Sequence, residues 1–214
     1  MSESILKLKD FGIGKDVLIV AGGTSVKEFR FNNLRTDIIL FGINFQFLNK
    51  TIYGKNKILD YLLYTDKSFS DLSPQLDLQT TKLIGHKPTR LNDANLLSEK
   101  AAYWFNETII KTERDSCYYA IQICRDIMKF NEVYIIGLDG YLKNGIIHYW
   151  GDKFELNETE YKIHPNEKKM NEMQLERMKK YYCELPDYRN VYNCNQNSLI
   201  NAFPYKLPWG GDDD

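Results

Sequence analysis

The sequence predicts an α/β fold, namely a three-layer α/β/α sandwich around a mostly parallel sheet. Short apolar runs rich in β-branched residues recur at residues 17–20, 38–41 and 133–136, as expected of strands buried on both faces. Residues 115–129 place apolar side chains at helical spacing directly before the last run, a succession typical of doubly wound sheets. With 214 residues, 43% of them hydrophobic, the chain is large enough for the core of one such domain.

The first predicted strand ends in small residues. Ala21 is followed by Gly-Gly-Thr-Ser, and we expect a helix over residues 25–34. Glycine lets the backbone turn tightly and approach a phosphate, while Thr or Ser can cap the helix that follows. The run matches neither G-x-G-x-x-G nor the P-loop motif, so an ordinary turn and a ligand site are both open. The candidate ligand residues here are Gly22, Gly23, Thr24 and Ser25.

Polar side chains also follow the later apolar runs. Residues 37–42 and 59–64 read as strands, residues 82–85 as a short strand, and residues 88–107 fit no single element. Because the carboxyl ends of parallel strands share one edge of a sheet, the polar groups could converge on one crevice. Local turn chemistry is the alternative explanation for each residue taken singly. The set comprises Asn44, Gln46, Asp66, Ser116, Asp139 and Tyr141.

The last third of the chain contains a candidate lid. Residues 142–163 are rich in Asn, Gly, Tyr and charged residues, and we expect a long loop there that covers a site. A charged helix is predicted over residues 167–182, a strand over residues 191–194, and a short last helix from Asn197. No linker divides the chain, so we expect residues 1–214 to form a single nucleotide-binding domain with the lid as an insertion.

His164 is the best candidate for a general base, because histidine titrates near neutral pH and can accept a proton from a hydroxyl. His148 is a second candidate, and His86 is expected on a loop surface. The sequence has no carboxylate pair with the D-x-D spacing that holds a metal in many nucleotide-sugar transferases, which favours a metal-free reaction. Tyr141 and Tyr149 could then hold a phosphate instead.

Composition narrows the class of partner. The net charge of −1 disfavours a dedicated nucleic-acid binder, and no apolar run is long enough to span a membrane. The four cysteines form no C-x-x-C pair, so a zinc site is disfavoured and a cytoplasmic location with reduced thiols is expected. Abundant aromatic residues, among them 15 tyrosines, are consistent with self-association into a homo-oligomer.

Taken together, these motifs resemble the bacterial lipooligosaccharide sialyltransferase family. Its members are CMP-sialic-acid-dependent enzymes with one Rossmann-like domain and a lid. The family's motifs G-N-G-P-S-L-K-E, C-N-Q-F, S-G-x-Y, G-I-D-F-Y and C-P-N-S-L-L, and the His that starts its late helix, are matched in the same order over most of the chain. The matching stretches are residues 21–28, 42–47, 116–119, 137–141 and 194–200, with His164 before the late helix.

The resemblance implies an inverting glycosyltransferase that needs neither a metal nor another cofactor. By position, His164 would deprotonate the hydroxyl of a glycan or other acceptor, and Tyr141 and Tyr149 would hold the leaving phosphate of CMP. Asn44 and Ser116 would contact the donor sugar or its phosphate. The nucleotide and donor would further meet Gly22, Gly23, Thr24, Ser25, Gln46 and Asp139.

The same pattern also resembles, more distantly, the archaeal-type 6-hydroxymethyl-dihydropterin pyrophosphokinases and proteins grouped with them. In that alternative the nucleotide is ATP, Mg²⁺ is required, and Asp66 and Asp139 are the natural metal ligands. Rossmann-like proteins of this kind also occur in bacteriophages. A non-catalytic nucleotide-binding protein is the third alternative.

Overall fold

The computed structural model describes residues 2–44, 46, 58–65, 78–87, 100–110, 115–140, 153–156, 159–162, 172–184 and 189–209. Its centre is an eight-stranded sheet in which every strand pair is parallel, so the predicted α/β fold is confirmed. The strands of this sheet are β1 (Glu3–Ser4), β2 (Asp16–Val20), β3 (Ile39–Ile43), β4 (Tyr61–Tyr64), β5 (Lys82–His86), β6 (Ala101–Phe105), β7 (Glu132–Ile136) and β10 (Val191–Asn193).

The order of the strands creates a switch point at the middle of the sheet. The order is β1-β6-β5-β4-β3-β2-β7-β10, so the chain adds β3 to β6 on one side of β2 and then returns to place β7 on the other side. In open α/β sheets, ligands bind outside the carboxyl ends of the strands where the order reverses. The topology therefore predicts a ligand site at the turns that follow β2 and β7.

Alternate side chains of each strand enter two separate cores. Val17 and Ile19 point to one face of the sheet, and Leu18 and Val20 point to the other. Two α-helices, α1 (Ser116–Gln122) and α2 (Glu172–Cys183), contribute buried residues to the first core, and α1 continues as a π-helical turn, Ile123–Ile127. Phe31 and Leu34 cover the second core together with Leu207 and Trp209.

The predicted helix over residues 25–34 is wrong. Two short 3-10 helices, Thr24–Lys27 and Phe31–Asn33, connect β2 to β3 instead. Phe29 and Phe31 both pack against the second core, and their ring centroids lie 4.8 Å apart. Residues two positions apart cannot share one face of an α-helix, so burial of both rings excludes the helix.

The predicted short helix from Asn197 is also wrong, because local hydrogen bonds hold this segment in a turn. The Asn197 amide donates to Asn195 Oδ1 over 3.0 Å, and the Ile200 amide donates to Ser198 Oγ over 3.0 Å. Ser198 Oγ in turn donates to the Leu138 carbonyl over 2.6 Å. Asn and Ser side chains often compete with helix formation in this way.

The remaining elements refine the sequence prediction. An antiparallel hairpin of β8 (Lys153–Leu156) and β9 (Thr159–Lys162) lies where a long loop was expected. Of the helix predicted over residues 167–182, the structure describes the part from Glu172 onward, and the ambiguous stretch before residue 107 contains β6. None of the described helices is both long enough and apolar enough to cross a membrane.

Candidate functional site

A crevice of about 320 Å³ opens at the switch point. It lies outside the carboxyl ends of β2, β3 and β7 and extends to the start of α1 and the end of α2. Its lining includes five of the residues that the sequence placed at a shared edge, namely Gly22, Gly23, Asn44, Ser116 and Asp139.

Asp139 holds the turn after β2 against the turn after β7. Its carboxylate is buried, with 3% of the residue exposed. Oδ2 accepts a hydrogen bond from the Ser25 amide at 2.9 Å, while Oδ1 accepts from Ser25 Oγ at 2.5 Å and from Asn195 Nδ2 at 2.8 Å. Thr24 Oγ1 adds a longer contact of 3.5 Å to Oδ2. The segment after β10, which contains Asn195, is thereby tied to the same carboxylate.

Gly23 permits this close approach of the two turns. Its amide donates to the Gly137 carbonyl over 2.8 Å. A Cβ atom at position 23 would lie 2.5 Å from Asp139 Oδ2 and 2.5 Å from the Gly137 carbonyl oxygen. Real Cβ atoms essentially never approach other atoms so closely, so only glycine fits this position without displacing backbone.

Asn44 and Ser116 meet across the crevice. Asn44 adopts a left-handed conformation with φ of 51°, which Asn tolerates better than most residues and which ends β3 sharply. Its Nδ2 donates to Ser116 Oγ over 3.3 Å, and its Oδ1 accepts from the Thr65 amide over 3.4 Å. Ser116 Oγ also shares a hydrogen bond of 2.6 Å with Thr65 Oγ1. The ends of β3 and β4 are thus joined to the first turn of α1.

Gln46 lies beneath the crevice and not in it. The residue is fully buried, and its Nε2 donates to the carbonyl of Ala21, the first residue after β2. Its side chain therefore supports the backbone from which the Gly22–Gly23 turn starts. Of the residues that the sequence assigned to the donor, Gly22, Gly23, Asn44, Ser116 and Asp139 line the crevice, whereas Thr24, Ser25 and Gln46 do not.

Asp115 also lines the crevice, a role that no sequence motif assigned to it. Its Oδ1 accepts from the Tyr118 amide at 2.9 Å and from the Tyr182 hydroxyl at 2.7 Å, while Oδ2 accepts from the Tyr181 hydroxyl. The adjacent tyrosines lie at the end of α2, and burial raises the pKa of Tyr182 well above its ordinary value. This carboxylate joins α2 to the wall of the crevice, and no spacing in the sequence links the two segments.

Four further candidates lie outside the described residues: the proposed base His164, the tyrosines Tyr141 and Tyr149, and Asp66. The second histidine, His148, lies outside them as well.

His86 differs from its prediction as a loop residue. It ends β5, is partly buried, stacks on the Phe105 ring at 5.0 Å, and places Nε2 3.1 Å from Glu107 Oε1.

Metal binding by Asp139, which the pyrophosphokinase alternative requires, would compete with existing contacts. Both of its oxygens already accept hydrogen bonds from protein donors. In the part of the chain that the structure describes, no three His, Cys, Asp or Glu side chains are grouped to hold a metal ion. The geometry of Asp139 is that of a structural clamp.

A Rossmann-like sheet with a crevice at its switch point defines the class of this protein. Its fold is that of bacterial sialyltransferases. The structure is similar to the sialyltransferase CstII from Campylobacter jejuni in complex with the substrate analogue CMP-3FNeuAc, with a TM-score of 0.54 and 20% identity over 89% of this chain and 86% of that chain.

Two further structures have the same fold. The monofunctional α-2,3-sialyltransferase Cst-I of Campylobacter jejuni matches with a TM-score of 0.54 and 15% identity over 91% of this chain and 81% of its own. Cst-II in complex with a trisaccharide acceptor and CMP matches with a TM-score of 0.51 and 17% identity, over 89% and 85%. No protein-family model and no curated protein matches the sequence.

Proposed function

We propose that the protein is a glycosyltransferase that moves a sialic-acid-like sugar from a CMP-activated donor to a hydroxyl acceptor, with inversion and without a metal. One observation carries the proposal: residues that the sequence motifs assign to the donor lie together in one crevice, at the switch point of a fold shared with sialyltransferases. The similar structures were solved with a CMP-sugar analogue, with CMP, and with a trisaccharide acceptor.

The described residues divide into two roles in this proposal. Gly22 and Gly23 present backbone to the nucleotide, because neither has a side chain to keep the ligand away. Asn44 and Ser116 line the crevice, and in this proposal they contact the donor sugar or its phosphate. Asp139 and the buried Gln46 act as positioning residues, since their polar atoms hold the two turns and the start of the glycine turn.

The proposed reaction is a single displacement. The acceptor oxygen attacks the anomeric carbon while His164 takes the hydroxyl proton, and the bond from that carbon to the phosphate oxygen breaks with its electron pair leaving on CMP. Tyr141 and Tyr149 donate hydrogen bonds to the phosphate as its negative charge grows, a task that a metal performs in other transferases. Residues 142–163 act as a lid that limits hydrolysis of the donor.

A thermal-shift series tests the choice of nucleotide. The protein is heated with CMP, CDP, UDP, GDP or ATP, each with Mg²⁺ and with EDTA, because a ligand that binds only the folded state raises the melting temperature. Stabilisation by CMP or CDP in EDTA supports the proposal. Stabilisation by ATP with Mg²⁺ alone replaces it with the pyrophosphokinase alternative, and no shift with any nucleotide overturns both.

The His164→Ala variant tests the proposed base. We expect transfer from CMP-sialic acid to be abolished while the thermal shift with CMP is retained, because the base touches the acceptor and not the nucleotide. His148→Ala tests the second candidate for the base, and the rate of transfer should stay nearly unchanged in this variant if His164 is the base. Transfer that survives in His164→Ala shows that this histidine is not the base, whatever the nucleotide series gives.

A further inference from the structure

A second cavity, which we call the rear cavity, opens behind the turn that follows β2. Its volume is about 450 Å³, larger than that of the crevice. Ser25 and Asn195 lie in its wall and bond to Asp139 on the crevice side, so the Asp139 clamp separates the two spaces. The wall also includes Phe29, Arg30, Asn33, Gln196, Asn197 and Trp209.

One side of the rear cavity is aromatic. The rings of Phe29 and Trp209 lie 4.9 Å apart at an angle of 38°, and both residues remain partly exposed. Tyr205, also in the lining, is 50% exposed. Flat rings of this kind pack against the C–H faces of sugar rings, and Trp and Tyr combine a large apolar surface with a polar atom.

The remaining wall supplies polar groups that are still available. In the described part of the chain, the Arg30 guanidinium has no hydrogen bond or ion pair, and the side-chain amides of Asn33 and Gln196 have no hydrogen bond. Glu28, the acidic residue of the lining, already has an interaction. An amide offers both donors and acceptors, as sugar hydroxyls require, and a guanidinium binds a carboxylate through paired hydrogen bonds.

We propose that the rear cavity is a second binding site for an oligosaccharide that carries a carboxylate. Arg30 binds the carboxylate, the amides of Asn33 and Gln196 bind hydroxyls, and the sugar ring stacks on Trp209. The site is additional to the donor and acceptor positions in the crevice and does not depend on transfer. Only the use of a sialylated probe rests on the proposed function, because such glycans are the products of that reaction.

Titration with 3′-sialyllactose tests the site, with neutral lactose as the comparison. The protein is first saturated with CMP to occupy the crevice, and binding is followed by calorimetry and by tryptophan fluorescence. We expect 3′-sialyllactose to bind and lactose to bind much more weakly. Arg30→Gln should weaken binding of 3′-sialyllactose about tenfold, since a charge-assisted hydrogen bond is lost. Trp209→Phe should remove most of the fluorescence change.

Lys27→Gln is the matched control, because Lys27 is exposed, lies three residues from Arg30, and is absent from the wall of the rear cavity. Equal weakening by both variants would reduce the effect to net charge and overturn the site. Equal affinity for lactose, or no binding of either sugar, also overturns it. If CMP does not bind, the proposed function fails, yet a difference between Arg30→Gln and Lys27→Gln still supports the rear cavity.

Discussion

Polar clusters lie at both ends of the paired strands β2 and β7, and they differ in whether the partners of their carboxyl groups are charged. At the amino ends, Asp16 bonds to Arg35 and Glu132 bonds to Lys206, so each carboxylate has a cation as partner. At the carboxyl ends, the single carboxylate of Asp139 bonds to donors that are all neutral. The same two strands therefore end in ion pairs on one side and, on the other, in a buried carboxyl group that bonds to neutral donors.

The amino-end cluster is partly open to solvent. The side chains of Lys206 and Glu132 are 42% and 27% exposed. Exposed pairs of this type contribute little to stability, because water screens the charges and two long side chains lose conformational freedom. Tyr134 also donates to Glu132, and burial together with this hydrogen bond raises the pKa of Tyr134. We expect the Lys206–Glu132 pair to tolerate change, because water can reach either side chain.

The carboxyl-end cluster is buried, so water cannot replace a lost hydrogen-bond partner there. Asp139 is buried, and its removal would break the hydrogen bonds that it accepts from Ser25, Asn195 and, at longer distance, Thr24. These donors belong to the turn after β2 and to the segment after β10. Their hydrogen bonds to Asp139 also separate the crevice from the rear cavity. Fixed geometry is therefore found at the carboxyl ends of β2 and β7, the edge where the proposed donor binds.

The largest effect is expected for Asp139→Asn. Each oxygen of Asp139 accepts hydrogen bonds, so either orientation of the amide would turn an NH₂ group toward existing donors. We expect a loss of about 3 kcal/mol in the free energy of unfolding, from buried groups left unsatisfied. Urea denaturation measures it, with Glu132→Gln at the other end as the control. Similar losses in both variants would refute the contrast between the two ends.

Gly23→Ala should come next. The added methyl group would meet Asp139 Oδ2 and the Gly137 carbonyl at 2.5 Å, so the turn has to shift, at a cost of about 2 kcal/mol. Gly14→Ala near the amino ends is the matched control, because that glycine has a φ of 77° but no atom within 4 Å of the new Cβ. Its cost should be about 1 kcal/mol. Thermal shifts with CMP should be weakened only in Gly23→Ala.

Six of the eight strands of the sheet, and the edge that they share, could be predicted from the sequence because apolar runs and the residues after them are local signals. The strands β1 and β6 were not predicted. That edge predicts that Asn44 and Ser116 lie near one crevice, whereas the hydrogen bond between them was not predicted. The connection from β2 to β3 could not be predicted. Its conformation is not helical because both Phe29 and Phe31 pack against a core formed by residues distant in the sequence. The hydrogen bonds of Asp115 with Tyr181 and Tyr182 join segments more than 60 residues apart, and no periodic pattern in the sequence predicts them.

Tyr182→Phe tests that missed connection. The change removes one hydrogen bond to the Asp115 carboxylate and leaves the aromatic packing intact, so we expect a loss of about 1.5 kcal/mol in the free energy of unfolding. Tyr205→Phe is the control and should cost nearly nothing, because Tyr205 is half exposed. Differential scanning calorimetry compares the two. If Tyr182→Phe is as stable as the wild type, the hydrogen bond from Tyr182 to Asp115 does not contribute to holding α2 in place.

The smallest effect, and the one most dependent on pH, is expected for Glu132→Gln. Burial raises the pKa of Glu132, but hydrogen bonds from Lys206 and Tyr134 outweigh burial and hold that pKa below its ordinary value. A carboxyl with a lowered pKa in the folded state stabilises the fold above the unfolded pKa of about 4.3, and loses this contribution as the pH falls through the folded value. The wild type should therefore exceed Glu132→Gln by about 0.5 kcal/mol at neutral pH, and the difference should shrink in acid and in high salt. Urea denaturation at a series of pH values measures this difference. A constant difference at every pH would assign the role of Glu132 to packing instead of charge, and the amino-end cluster would then resemble the carboxyl end more closely than its ion pairs indicate.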